Sequence, residues 1–592
     1  MNVSAHVDTF ARDHLPPPGT WPGLRFELPE LDYPDRVNCA AELLGSTAPD
    51  RPVFHTATGP SWTYGELRAR VDRIAHLLSG ELGVAPGNRV LLRGPTTPWL
   101  AACWLAVLKA GAIAVTVLAQ QRPNELRAMC EIARVDHALC DIRAVDALAK
   151  GEIPGLRITT YGGDSPDDLL NRSAPCEPYQ AVETACDDVA LIAFTSGTTG
   201  RPKGCLHFHR DVLAIADTFS RHILKPLPDD VFAGSPPLGF TFGLGGLVVF
   251  PMRAGASALL LEQAGPRQLL PAIAAHRVTV LFTAPTAYRA MLDDLNASND
   301  RNDRNDLNHV KQFNHLGGLH DLNRPSAHDV SSLRRCVSAG ENLPAATWRA
   351  WHERTGLRLI NGIGATELLH IFISAADEDI RPGTTGVPVP GWHARVQGPD
   401  GRPVPDGEPG LLAVCGPVGC RYLADPRQQE YVRDGWNITG DTYVREPDGY
   451  FRYVARADDM IISAGYNIAG PEVEEALLRH PDVVEAAVVG RADEQRGQVV
   501  VAFAVLRAGV RRDAEALRAF LKEELAPYKC PREFVFLDAL PRTATGKLQR
   551  FRLRTQDHGE DHGADHGEHH AEDCAEGRSG DHVRDDTNGD QP

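Results

Sequence analysis

The chain has 592 residues, is 43% hydrophobic and 23% charged, and carries a formal net charge of -17. Its length exceeds what a single core organises, and its composition is that of an ordinary globular protein. The acidic balance excludes a nucleic-acid binder, which needs a basic face, although the last residues, 555–592, concentrate the charge, with twelve acids against only Arg578 and Arg584.

In chain order, the first 35 residues are rich in proline and aromatics and read as an arm lying on the body, with no apolar run of the signal-peptide kind. From Asn38 to about Val280, helical patterns alternate with short apolar runs. Residues 64–78 precede 90–92, residues 99–110 precede 113–118, and residues 269–276 precede 278–282. This alternation predicts βαβ units and mostly parallel sheets flanked by helices. Residues 101–118 are apolar enough to test as a membrane span. Lys109, Gly111 and the β-branched stretch at 113–117 divide them into helix, turn and buried strand, so no membrane partner is expected. Residues 296–330 contain the polar near-repeat Asn299-Asp300-Arg301-Asn302-Asp303-Arg304-Asn305-Asp306 and read as a solvated surface insertion without regular structure.

From Gly386 onward, short strands separated by Pro/Gly turns predict a β-rich subdomain. After Arg456 a second unit begins. Pro471 opens a helix over 472–479 with acids in its first turn, strands are expected at 483–489, 499–506 and 534–537, and a helix at 513–525. The tail is acidic, contains six histidines and is disordered by composition. The expected architecture is α/β, with three regions. A large N-terminal domain (1–456) has parallel-rich sheets, flanking helices and a β-rich subdomain. A small mobile α+β C-terminal domain spans 457–554, and the tail spans 555–592. The twelve cysteines show no Cys-x-x-Cys pair or metal-ligand spacing and read as reduced, mostly buried thiols of a cytoplasmic protein.

The chemistry concentrates first in one loop. Leu191, Ile192, Ala193 and Phe194 form an apolar run that reads as a buried strand. It feeds Thr195-Ser196-Gly197-Thr198-Thr199-Gly200 and closes on Arg201-Pro202-Lys203-Gly204. Glycines let the backbone approach a ligand, and hydroxyls with successive N–H groups make a concave anion site suited to a polyphosphate. Gly197 and Gly200 are too close for a Walker A loop, and no Gly-Lys-Ser/Thr follows. Taken alone, the loop also fits a plain turn.

The order of these residues resembles the AMP-forming adenylate enzymes, which include acyl- and aryl-CoA ligases, amino-acid adenylation domains and luciferases. Four more segments match that family in the same order: Ser338-Ala339-Gly340-Glu341, Asn361-Gly362-Ile363-Gly364-Ala365-Thr366-Glu367, Thr439-Gly440-Asp441-Thr442, and Pro541-Arg542-Thr543-Ala544-Thr545-Gly546-Lys547. The resemblance covers roughly residues 38–554. It implies that Thr195 to Gly200 and Lys203 hold the phosphates of ATP, and that Gly340, Glu341, Asn361, Gly362 and Ile363 border adenine. It also implies that Thr366 touches phosphate, Glu367 holds Mg²⁺, Asp441 takes the ribose hydroxyls, and Lys547 caps the site during adenylation. Each role suits its residue type: a carboxylate for a diol, a hard oxygen for Mg²⁺, a point charge for a transferring phosphoryl group. In Arg456-Ala457-Asp458-Asp459-Met460, the resemblance makes Arg456 a ribose or phosphate contact and Asp458 the hinge. Gly465 becomes a residue of the coenzyme A tunnel. Ile363 departs from the pattern, since many members place an aromatic there.

The segment Phe240-Thr241-Phe242-Gly243-Leu244-Gly245, with Glu367-Leu368-Leu369-His370-Ile371-Phe372, looks like the benzoate-type branch of ligases, and the opening arm looks like 2-aminobenzoate–CoA ligases. No acid stands beside Phe240 to pair an α-ammonium, and aromatic walls suit a planar ring. Phe240, Phe242 and Gly364 are therefore the expected acyl pocket. The expected reaction is ATP-dependent activation of a small aromatic carboxylic acid, followed by transfer to coenzyme A with release of AMP and pyrophosphate. Two alternatives stand beside it: a stand-alone aryl-acid adenylation enzyme loading a carrier protein, and a non-catalytic nucleotide-binding interaction protein.

Overall fold

The computed structural model describes residues 2–45, 47–195, 201–309, 328–463, 466–493, 496–543 and 548–555, apart from the side chains of 298–309 and Asn467. Residues Met1–Arg554 form one compact unit. The expected disordered tail lies, beyond Thr555, outside the described residues.

Two parallel-rich sheets carry the large N-terminal domain. One has six strands in the order Arg157–Tyr161, His137–Asp141, Arg89–Arg93, Ile113–Thr116, Val189–Thr195, Lys203–Phe208, and is parallel except for the last pair. The other has nine strands. Val280–Thr283 lies between Arg335–Ala339 and Val231–Gly234, and pairing turns antiparallel only toward the two ends. Strands buried on both faces read as unbroken apolar runs, and Ile113–Thr116 is buried throughout.

The helix Pro98–Lys109 is hydrophobic all round because it is buried all round. Ten of its twelve residues are inaccessible, and Thr97 caps it by accepting from the Leu100 amide at 3.3 Å. Burial between elements, not lipid, explains that apolar stretch. Among the described residues no helix is long and apolar enough to cross a membrane.

A third, antiparallel sheet closes the large domain with His393–Gln397, Pro409–Cys415, Trp436–Arg445, Val432–Arg433 and Phe451–Arg456. A smaller sheet follows, built on the long antiparallel pair Val483–Asp493 and Gly497–Leu506. Helices Gly470–Leu477 and Ala514–Glu524 contribute Val473, Leu477, Leu517 and Leu521 to a core of its own. The arm packs on the body as expected, with Asp188 accepting from the Ala5 amide and the Arg12 guanidinium. Nine of the eleven described cysteines are buried, and all eleven are free thiols.

One expectation fails. The polar stretch after residue 296 reads as irregular, yet one helix runs unbroken from Pro285 to His309. Its first turns are anchored by Tyr288, Met291 and Leu292 in the core, and no Gly or Pro occurs between Thr286 and Leu316. Propagating an anchored helix through polar residues costs little once its nucleus exists. Residues 310–327 lie outside the described residues.

Candidate active site

Thr195 ends one strand, Lys203 opens the next, and the two residues pair across the antiparallel ladder. The segment joining them includes Ser196, Gly197, Thr198, Thr199 and Gly200, which lie outside the described residues. Lys203 Nζ donates to the Tyr422 hydroxyl at 2.8 Å, and that hydroxyl donates to Glu367 Oε1 at 2.6 Å. The ammonium and the carboxylate are 3.9 Å apart. Glu367 stands on the short turn Thr366–Leu368, which is tied to the same hairpin from behind. His207, on the Lys203–Phe208 strand, meets the Thr366 carbonyl with Nε2 at 2.8 Å. Burial, reinforced by the Arg421 charge, pushes His207 down to about 3, so it is neutral and donates that hydrogen.

Asp441 and Arg456 face each other on paired strands, and Arg456 Nη1 lies 3.2 Å from Asp441 Oδ1 and 3.1 Å from the Thr439 carbonyl. Burial alone would lower the Arg456 guanidinium; Asp441 and Asp458 outweigh it and hold it above its ordinary value. Asp458 is 3.4 Å from Arg456 Nε, on the turn that leads into the small sheet.

Gly340 follows the strand Arg335–Ala339 with φ +93°, a left-handed turn that suits glycine. The turn delivers Glu341, whose carboxyl burial pushes up and Arg542 draws back. Arg542 reaches it from the far side of the cleft at 2.9 Å and pairs with Glu485 at 2.9 Å as well. Arg289 also spans the cleft, donating to the Val484 carbonyl and to Thr347.

The cleft has a volume of about 890 Å³, and every described residue of the expected ATP and acyl sites lines it: Thr195, Lys203, Phe240, Phe242, Gly340, Glu341, Asn361, Gly362, Ile363, Gly364, Thr366, Glu367, Asp441 and Arg456. Asp458 stands just behind it. Gly465 and Lys547 fall outside the described residues. Ile363 sits in the strand opposite Ile373 and offers an aliphatic contact.

At the expected acyl pocket, Phe242 packs 5.5 Å from the His370 ring and 5.6 Å from Phe282, and Phe250 meets His370 edge-on at 4.5 Å. His370 also borders the cleft, and burial pushes it down to about 3, which keeps it neutral. Gly364 lies beside this wall, and its position leaves no room for a side chain. A Cβ there would come within 2.8 Å of the His370 carbonyl oxygen. Sequence reasoning missed Tyr422 and Arg542. Arg542 sits inside a quoted motif, but Tyr422 has no local signal.

Residues 44–422 match the AMP-binding enzyme family, and residues 472–547 match the AMP-binding enzyme C-terminal domain. A benzoate–CoA ligase of Thauera aromatica is 35% identical over 549 residues, 89% of this chain and 97% of that protein. The crystal structure of an anthranilate CoA ligase in complex with anthranoyl-AMP is similar with a TM-score of 0.79 and 30% identity, over 89% of this chain and 98% of that one. A benzoate CoA ligase structure from Burkholderia xenovorans gives 0.76 and 32%, over 88% and 100%. The chain belongs to the AMP-binding enzyme family, as an AMP-forming acid–thiol ligase.

Proposed function

We propose that this enzyme activates a benzoate- or 2-aminobenzoate-type acid with ATP to an acyl-adenylate and then passes the acyl group to coenzyme A. The observation that carries this reading is a single cleft with two chemically distinct ends. Lys203, Thr366, Glu367, Asp441 and Arg456 supply charge and hydrogen-bonding groups at one end, and Phe242 and the neutral His370 ring an aromatic wall at the other. Relatives that act on benzoate and anthranilate support the same substrate class.

In this reading Asp441 binds the ribose diol, Gly340 to Ile363 border adenine, and Arg456 contacts ribose or phosphate. The acid's carboxylate attacks the α-phosphorus and pyrophosphate leaves. No covalent enzyme intermediate forms, so the residues act by position and charge. Lys203 and the 195–200 segment meet the leaving phosphates, Thr366 meets the transferring group, and Lys547 caps the site. Glu367 is the hard-oxygen ligand for Mg²⁺, which neutralises phosphate charge when bound. The N-terminal domain (1–456) and C-terminal domain (457–554) then reorient about Asp458, bringing Gly465 to the coenzyme A tunnel, and the thiolate attacks the acyl carbon, forming the thioester as the acyl–phosphate bond breaks and AMP leaves.

ATP–pyrophosphate exchange with a panel of carboxylic acids tests the first step. Exchange with benzoate or 2-aminobenzoate above that with aliphatic or amino acids is expected, and AMP release on adding coenzyme A alone. A preference for aliphatic acids refutes the acyl assignment, and exchange without coenzyme A-dependent AMP release points instead to a carrier-protein acceptor.

A further inference from the structure

We infer that Tyr422 is a positioning residue that fixes Lys203 and Glu367 as an ion pair short of direct contact, so that each stays available to Mg·ATP. The inference rests on the adenylation reading above and adds to it a residue with no assigned role.

The backbone places Tyr422 with little freedom. Residues 421–423 lie along the open edge of the Lys203–Phe208 strand, where the Leu206 amide donates to the Arg421 carbonyl and the Leu423 amide to the Gly204 carbonyl, both at 2.8 Å. Alternation along an extended segment sends Arg421 to one side and Tyr422 to the other. Arg421 pairs with buried Asp211 and lies over the Phe208 ring. Tyr422 is fully buried, with Tyr431 packed edge-on against its ring.

From that position the hydroxyl bonds to two groups of opposite charge, and its hydrogen-bonding capacity suits both. Its oxygen accepts from the Lys203 ammonium, and its single hydrogen goes to Glu367 Oε1. The ammonium lies 4.6 Å from the ring centroid, on the hydroxyl side. An ammonium and a carboxylate on facing elements at low exposure attract strongly and close to direct contact unless something intervenes. Here they form an ion pair at 3.9 Å, wider than direct contact, with the hydroxyl bonded to both. In direct contact each group would spend on the other a hydrogen-bonding position that the polyphosphate and the metal ion need. The phenol anchors both while adding no charge. Its interactions with both groups are charge-assisted and therefore directional.

Tyr422→Phe keeps the ring and removes the hydroxyl that bonds to both. The test is equilibrium binding of ATP with Mg²⁺ and in EDTA, alongside ATP–pyrophosphate exchange, for wild type, Tyr422→Phe, Glu367→Gln and the double variant. In Tyr422→Phe, the preference for Mg·ATP over metal-free ATP falls about tenfold. The KM for Mg·ATP rises, and the KM for the acid stays unchanged. Because Tyr422 acts through the Lys203–Glu367 pair, the double variant is no worse than Glu367→Gln alone. An unchanged metal preference in Tyr422→Phe, a shift confined to the acid's KM, or multiplicative losses in the double variant overturn the inference. A Glu367→Gln enzyme with wild-type exchange and metal preference overturns both the inference and the assignment of Glu367 beneath it. A crippled Glu367→Gln with a normal Tyr422→Phe overturns the inference alone.

Discussion

Replacing Gly364 by alanine adds one methyl group where the structure has least room for it. The new Cβ would lie 2.8 Å from the His370 carbonyl oxygen, 2.9 Å from its carbon and 3.1 Å from the Ile371 nitrogen. All three are backbone atoms of the antiparallel neighbour, which pairs with Gly364 just after a register shift, so no side-chain rotation relieves the contact. The strands must part by several tenths of an ångström, and overpacking of this kind costs about 1–3 kcal/mol. Thr366 and Glu367 follow within three residues, so the displacement reaches the proposed phosphate end of the cleft. A misplacement of about 1 Å there costs on the order of a hundredfold in rate. Gly362→Ala is the matched control, because the atoms nearest its Cβ would belong to the Ile371 side chain, at 2.8 Å, and not to backbone. Thermal melts and ATP–pyrophosphate exchange on both variants should show Gly364→Ala melting a few degrees lower with exchange reduced at least tenfold, and Gly362→Ala milder on both counts. Wild-type exchange in Gly364→Ala, or Gly362→Ala as the more damaged protein, would overturn this account of the turn.

Three other outcomes are expected. His207, His209 and His370 are each held near 3 by burial, against an ordinary 6.5. Because the folded value lies below the unfolded one, their neutral forms favour folding fully above pH 6.5, and that contribution declines as pH falls toward 3. One such histidine removes about 2 kcal/mol between pH 6.5 and 5. His209→Gln should therefore lose less melting temperature than wild type between pH 7.5 and 5, and an equal loss counts against this account. Asp211→Asn leaves the fully buried Arg421 charge uncompensated and should destabilise by about 3–5 kcal/mol in urea melts; a near-neutral effect would show that Arg421 finds another partner. Lys547→Ala and Arg542→Ala should lower adenylate formation while sparing thioester formation from supplied acyl-adenylate. Arg542→Ala loses about fivefold because its ion pairs are partly solvated. Equal loss of both half-reactions removes the idea that the small domain changes face between steps.

Much of this protein is legible along the chain because its signals are local. Alternating apolar runs and helical patterns mark strands such as Ile113–Thr116 and helices such as Pro98–Lys109, since burial on both faces leaves an unmistakable composition. Thr195 to Lys203, Asn361 to Glu367 and Thr439 to Asp441 are contiguous motifs, so their chemistry is legible from residue order alone, and Thr195, Lys203, Asn361 to Glu367 and Thr439 to Asp441 line one cleft. The helix through Asn299–Asp306 escapes a local reading because its own residues are polar, whereas the residues that anchor it lie upstream, at Tyr288 to Leu292.

Folding in three dimensions settles which residues meet across distance. Tyr422 has no motif of its own and reaches Lys203 and Glu367 because residues 421–423 pair with an open strand edge more than two hundred positions away. Arg542 reaches Glu341, and His207 reaches the Thr366 carbonyl, for the same reason. Reaction class follows from short stretches whose atoms act together because they are neighbours in the chain. The poise of the charges in the cleft follows from packing, which no stretch of sequence contains.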